Sequence, residues 1–224
     1  MISFEQTQAF VESLFGRDMH ANRVESLSKA TLGVINAGSL AVHLIGEGLA
    51  QARKLTRKHG IKQVDRLLSN RRLKPWDLFA FWVPYLVGQR ERLVVAMDWT
   101  EFDADDQSTL MLSLVTGHGR STPWLWKTVR KSALKGQRND HEDATLRRLR
   151  EVLPAGVKVT IIADRGFGDH KLYERLTEEL HFGYVIRFRE NLHVTDCHGE
   201  QRKPPSGCRT TAVPNVCSER GLPA

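Results

Sequence analysis

Residues Leu93–Phe102 read LVVAMDWTEF, and residues Val157–Gly166 read VKVTIIADRG. Each is an apolar run of strand length that delivers an aspartate at its end, Asp98 in the first and Asp164 in the second. Five apolar residues in a row predict a strand buried on both faces. A carboxylate at the end of a buried strand must be protonated, paired or bound to a metal, because an isolated buried charge is costly. The two runs therefore decide the fold and point to its chemistry together.

Working outward, Thr109–Val115 (TLMLSLV) and Thr122–Val129 (TPWLWKTV) also read as strands, with a glycine-rich turn at Gly117–Gly119 between them. Asn139-Asp-His-Glu142 has the spacing of a capping box and opens a helix with Leu146, Leu149, Val152 and Leu153 on one face. Pro154 and Gly156 end that helix before the Asp164 strand. After Gly166 and Gly168 turn the chain, Asp169 is placed to cap a helix with Leu172, Leu176 and Leu180 in line. Gly183–Arg189 is a further strand. The order β-β-β-α-β-α-β predicts an α/β fold, a ribonuclease H-like mixed sheet that begins as a meander and continues through helical crossovers. A crossover helix sets the Asp164 strand parallel to the Asp98 strand, and if they are neighbours both carboxylates reach one rim of the sheet.

Residues 1–90 read as a small helical domain, with apolar residues at three- and four-residue steps in Phe10–Phe15 and Arg66–Asn70. Pro75 and Pro84 each mark a point where a helix starts or kinks. Arg53, Lys54, Arg57, Lys58, Lys62, Arg66, Arg71, Arg72 and Lys74 face a single acid, Asp65, in this part of the chain. The plain reading is a solvated helix face; the functional reading is a surface for DNA phosphates. Gly60, between two basic stretches, would suit a helix-turn-helix turn. Residues 91–195 form the predicted sheet domain. Residues 196–224 hold half of the eight prolines, and no aromatic residue follows Glu200, which predicts a disordered tail.

Bulk composition narrows the function classes. With 33 Lys+Arg against 26 Asp+Glu, the net charge is +7, which favours polyanionic partners. Cys197, Cys208 and Cys217 form no Cys-x-x-Cys pair, so neither zinc nor a disulfide framework is indicated and a cytoplasmic setting is expected. MISFEQTQAF lacks the layout of a signal peptide, and the apolar window Thr31–Ala50 contains Asn36, His43, Glu47 and four glycines, so no membrane span is expected.

Two carboxylates at adjacent strand ends are hard oxygen ligands suited to Mg²⁺, with Mn²⁺ as the alternative. Two such ions roughly 3.5–4 Å apart activate a water or hydroxyl and stabilise the leaving oxygen of a phosphodiester. The competing reading has Asp98 and Asp164 capping turns or pairing with basic neighbours, Arg165 foremost. Asp103, Asp105 and Asp106 read as a solvated turn, His118 as a turn residue, and Trp124 with Trp126 as core residues sharing a face. A phosphatase of the haloacid dehalogenase type would need a second aspartate two residues after Asp98, where Thr100 stands. A hydrolase of small phosphate esters is a third class, distinguished by a lack of DNA affinity.

The segments AMDWTEFD and IIADRGFGDHKLYERL, in this order with a helix between them, resemble the first two acidic motifs of DDE-type transposases, nearest to bacterial insertion-sequence transposases of the IS-four group. The resemblance spans roughly Leu93 to Glu190. It implies a ribonuclease H-like fold, Mg²⁺-dependent strand cleavage and transfer, and double-stranded DNA of the transposon terminal repeats as partner. It also implies Asp98 and Asp164 as catalytic, metal-binding residues. A homodimer is compatible with this reading. The family's third carboxylate is a glutamate within Tyr-x-x-Arg-x-x-x-Glu-x-x-x-x-x-x-Lys. The tyrosines here are Tyr85, Tyr173 and Tyr184, and only Tyr184 has an arginine, Arg187, three residues on; its glutamate position is Asn191. Glu190, Glu200 and Glu219 are the remaining late glutamates, none on a helical pattern. The expectation is a transposase truncated before that carboxylate and impaired as an enzyme, with a non-catalytic DNA-binding protein as the alternative.

Overall fold

The computed structural model describes residues 2–187 and the short strands at 194–195, 201–202 and 211–212. The chain divides into two compact units, Met1–Tyr85 and Leu86–Ala224.

The first unit is helical: α1 Phe4–Phe15, α2 Ala21–Ala37, α3 Val42–Arg53, α4 Arg57–Leu68 and α5 from Pro75, which runs on to Val87. Ser3 and Gln6 close a capping box at the start of α1. Pro75 occupies the first position of α5, where its missing N–H is harmless, while Pro84 lies inside that helix. Val11, Phe15, Met19 and Val24 form one core cluster, and Ile45, Leu49 and Val64 another.

Contacts between α2, α3 and α4 are made where side chains are absent. A Cβ at Gly33 would lie 2.5 Å from the Ile45 carbonyl oxygen, one at Gly46 2.4 Å from Ile61 Cα, and one at Gly60 2.2 Å from the Gly46 carbonyl oxygen. The expected turn at Gly60 is therefore corrected. Gly60 is buried inside α4, and the reversal falls just before the helix, at Lys54 (φ 51°) and the capping Thr56. Glycine is required there for close helix approach, not for a turn. Among the described residues no single helix is long and apolar enough to cross a membrane; α2 and α3 pass only as a pair bent by 96°.

The second unit is built on a mixed sheet of β1 Arg92–Phe102, β2 Gln107–Val115, β3 Ser121–Arg130, β4 Lys158–Ala163 and β5 Gly183–Arg187. Its order is β3-β2-β1-β4-β5, with the two-residue β8 Thr211–Ala212 antiparallel at the β5 edge. The meander β1-β2-β3 is antiparallel, and β4 lies parallel to both β1 and β5, as the sequence pattern predicts. The crossovers are α6 Arg138–Val152 and α7 His170–Glu174, the latter continued by a π-helical turn, Arg175–Glu179. Of residues 196–224, Gln201–Arg202 (β7) pairs with Val194–Thr195 (β6); apart from β7 and β8, that stretch lies outside the described residues.

The expectation of strands buried on both faces is corrected by β1. Leu93, Val95 and Met97 are buried, while Val94 is 40% exposed and Ala96 half-buried. The reason is that both crossover helices take the same face. Trp99, on the face of Met97, bonds Glu142 of α6, and Tyr184, on the face of Ile161 and Val95, stacks on Tyr173 of α7 at 4.9 Å. That shared face holds the core, with Leu110, Leu112, Leu125, Leu146, Leu149, Ile161, Leu176 and Ile186 fully enclosed. Each such side chain contributes roughly 1.5–3 kcal/mol by leaving water. Trp124 is fully buried and Trp126 half-buried, with a register shift between Leu112 and Ser113 in the opposing strand.

Candidate metal and nucleic-acid site

Register places the two aspartates. The parallel pairing of β1 and β4 ends at Met97 opposite Ala163, and Asp98 and Asp164 are the next residues on either side; β1 itself runs on to Phe102 against β2, which corrects the expectation of a strand ending at Asp98. Side chains alternate along a strand, and Val94 faces Thr160 while Ala96 faces Ile162; Asp98 and Asp164 continue that face. This is the face opposite the two crossover helices.

Both carboxylates are exposed, which corrects the premise of a buried charge. Asp98 is held by its β2 partner Met111. Asp164 caps the turn Arg165–Phe167, its Oδ1 accepting from the Gly166 N–H at 2.8 Å. The cap leaves Oδ2 for another ligand. Asp164 forms no ion pair with Arg165. The donor set, two exposed carboxylates with room for water, fits a hard divalent cation such as Mg²⁺. Among the described residues no three His, Cys, Asp or Glu side chains cluster as a metal site. Glu190, Asn191, Glu200 and Glu219 lie outside the described residues.

The neighbouring acids have structural partners, as expected of a solvated turn. Asp103 pairs with Lys131 at 2.5 Å, and Asp106 accepts from the Ser132 N–H and hydroxyl. Those bonds hold the Asp106 carboxyl below its ordinary range. Asp105 is exposed in the same turn, and His118 is exposed in the β2–β3 turn. Glu101 accepts from both Lys131 and Arg138, which lowers its pKa.

Glu142 is the residue that the sequence pattern misplaces. The predicted capping box does not form: α6 is capped at Gln137 without a side-chain bond, and Asn139 lies inside the helix. Glu142 is instead 7% exposed and accepts from the Trp99 indole N–H at 2.8 Å. Burial pushes its carboxyl pKa up, against the lowering effects of the Trp99 bond and Arg138. The available signal was its place on the apolar stripe of Leu146 and Leu149. Asn139 donates to Asp169 Oδ2 at 2.8 Å, and Asp169 caps α7 as predicted. The opening of α6 borders a cleft of about 730 Å³ that Lys131, Asp169 and Arg175 also line.

All nine basic residues assigned to DNA, Arg53, Lys54, Arg57, Lys58, Lys62, Arg66, Arg71, Arg72 and Lys74, are exposed in the helical unit. Arg57 is engaged by Glu47 at 2.6 Å, and the Arg53 guanidinium lies 4.0 Å from the centre of the Phe4 ring. Lys58, Lys62 and Arg66 recur at four-residue steps of α4 and share one side of it.

The second unit is thus a mixed α/β sheet with an aspartate on each of two adjacent parallel strands, just past the point where their mutual pairing stops. The chain belongs to the transposase DDE domain family, which matches residues 89–212. Members of that family act on DNA in transposition and use divalent metal ions. No curated protein matches the chain. A solved structure with some likeness is the Argonaute of Marinitoga piezophila in complex with 5′ OH guide RNA, at 12% identity and a TM-score of 0.27. The likeness covers 58% of this chain and 23% of that one, and at this size it carries no argument.

Proposed function

We propose that the chain is a transposase of a bacterial insertion sequence, of the IS-four group, whose ribonuclease H-like sheet cleaves and transfers DNA strands at transposon terminal repeats. The observation that carries this reading is the β1–β4 register, which sets Asp98 and Asp164 side by side on one face. These two residues would hold Mg²⁺, or Mn²⁺ in its place. When bound, the metal supplies Lewis-acid activation of a water or hydroxyl and charge stabilisation at a phosphodiester. The chain's own contribution is to present two neighbouring exposed carboxylates that a DNA strand can reach. The basic residues of Arg53–Lys74 would contact DNA phosphates in a sequence-independent way. A cytoplasmic setting and double-stranded DNA as partner follow from the same reading.

Among the described residues no third carboxylate clusters with these two. The test is Mg²⁺-dependent nicking of duplex DNA carrying the element's own ends. Slow nicking that disappears in Asp164→Ala supports the proposal; nicking that Asp164→Ala leaves intact sinks it. The second reading, a DNA-binding protein without catalysis, is favoured by the exposure of all nine basic residues. It predicts salt-dependent DNA binding with no metal-dependent cleavage and no effect of Asp98→Ala or Asp164→Ala.

A further inference from the structure

Where Asp98 and Asp164 stand, β1 and β4 no longer pair with each other. Hydrogen-bonded pairing between β1 and β4 stops at Met97 and Ala163, one residue short of both aspartates. Beyond that point β1 continues on β2 alone, from Asp98 opposite Met111 to Phe102 opposite Gln107. The β4 strand leaves the sheet altogether into the turn Arg165–Phe167. The β1–β4 ladder therefore brings the two aspartates alongside each other but does not bond the segments that follow them to one another.

The opening two turns of α6 hold both sides of that gap. On the β1 side, Glu142 accepts from Trp99, the residue after Asp98, and Arg138 pairs with Glu101 at 2.5 Å while its guanidinium stands 5.3 Å from the centre of the Trp99 indole. On the β4 side, Asn139 donates to Asp169, which closes the loop that starts at Asp164. The same loop is anchored by the buried Phe167 and by the Asp169 N–H bond to the Phe167 carbonyl. One helix end thus ties two chain segments that β1–β4 pairing leaves unjoined.

We infer that Arg138, Asn139 and Glu142 form a positioning bracket that sets the separation of Asp98 and Asp164. This rests on the reading of those aspartates as a metal-holding pair. None of the three touches the reacting atoms; they act through Trp99, Glu101 and Asp169. Glu142 needs only to accept a hydrogen bond, so glutamine can replace it, whereas leucine cannot.

The experiment uses the full chain and two readouts. Mn²⁺ binding is followed by the loss of the free-ion electron paramagnetic resonance signal. Amide hydrogen exchange, without metal, is followed in the segments 98–102 and 164–169. Asn139→Ala and Glu142→Leu each weaken Mn²⁺ binding about tenfold, as loss of supporting contacts around metal ligands does. Glu142→Gln stays near the parent. Exchange quickens in 164–169 for Asn139→Ala and in 98–102 for Glu142→Leu, with circular dichroism unchanged. Parent-like Mn²⁺ affinity in Asn139→Ala and Glu142→Leu, or unchanged exchange in both segments, overturns the bracket. If Glu142→Leu fails to fold, Asn139→Ala decides, since it removes one bond from an exposed residue. A parent chain that binds no Mn²⁺ refutes the metal reading, and the exchange data then judge the bracket separately.

Discussion

The helical unit and the sheet unit are packed on opposite principles. In the first, α2, α3 and α4 approach through Gly33, Gly46, Gly48 and Gly60, where any Cβ would meet a neighbour within 2.6 Å. In the second, the core is filled by large enclosed side chains, Trp124, Leu112, Ile161 and Leu176 among them. The helical unit is thus vulnerable to atoms added and the sheet unit to atoms removed. The contrast also explains where function sits in each. The helical unit turns its long charged residues outward, while the sheet unit carries Asp98 and Asp164 just past the end of β1–β4 pairing.

The sharpest way to break this comparison is to enlarge a helical glycine. Gly60→Val should destabilise the first unit by more than about 3 kcal/mol, since the obstructing atom is backbone and cannot swing away. Gly60→Ala is the finer test. Helix propensity alone would favour alanine by roughly 1 kcal/mol, so a stabilised variant in urea unfolding would contradict the close approach. The converse change, Ile161→Ala, should lower the stability of the second unit by about 2–5 kcal/mol through the cavity it leaves.

Asp98→Ala should leave stability within about 0.5 kcal/mol of the parent, as an exposed residue does, yet reduce Mn²⁺ binding at least about tenfold. A large loss of stability without a loss of metal binding would make Asp98 a structural residue.

Glu142 gives a pH signature. Its folded-state pKa is raised by burial, with Trp99 of β1 and Arg138 of its own helix acting against the shift and Asp169, ahead of α7, adding to it. A raised carboxyl pKa means that the folded state binds the proton more tightly than the unfolded chain. Its contribution to stability is therefore full below the unfolded pKa and is lost as pH rises through the folded value. Glu142→Gln should remove that decline, visible as a flatter stability profile from the ordinary carboxylate range upward. Glu101, Asp106 and Glu179, with lowered pKa values, act in the opposite sense and remain in both proteins.

The smallest expected effect is on DNA affinity. Lys58→Ala or Lys62→Ala should each reduce the salt dependence of duplex binding by about 0.9 in log–log slope if the side chain neutralises one phosphate. Arg57→Ala should change it less, because Glu47 already engages that guanidinium. An unchanged slope in all three variants would remove α4 from the DNA surface.

Much of the sheet was legible in the sequence because strand signals are local. The five strand runs, the two crossovers and the leucine line from Leu172 to Leu180 follow from periodicity and turn residues within a few positions. Less legible was anything that depends on a partner distant in the chain. Asn139 and Glu142 have a capping-box spacing, yet each bonds a residue outside its helix, Asp169 and Trp99. Gly60 has the composition of a turn, yet α3 presses against it. The strand of Asp98 looks buried on both faces, yet α6 and α7 share one face.

By itself, the sequence determined the order of elements, the aspartate that follows each of two apolar runs, and the basic character of the helical segment. Each of these depends on side chains and neighbours only a few residues apart. The tertiary structure alone decided that Asp98 and Asp164 share a face, that both stand in water, and that one end of α6 grips the two segments bearing them. Register, face and cross-chain contacts arise only when distant segments meet, and short-range propensity carries no information about those meetings.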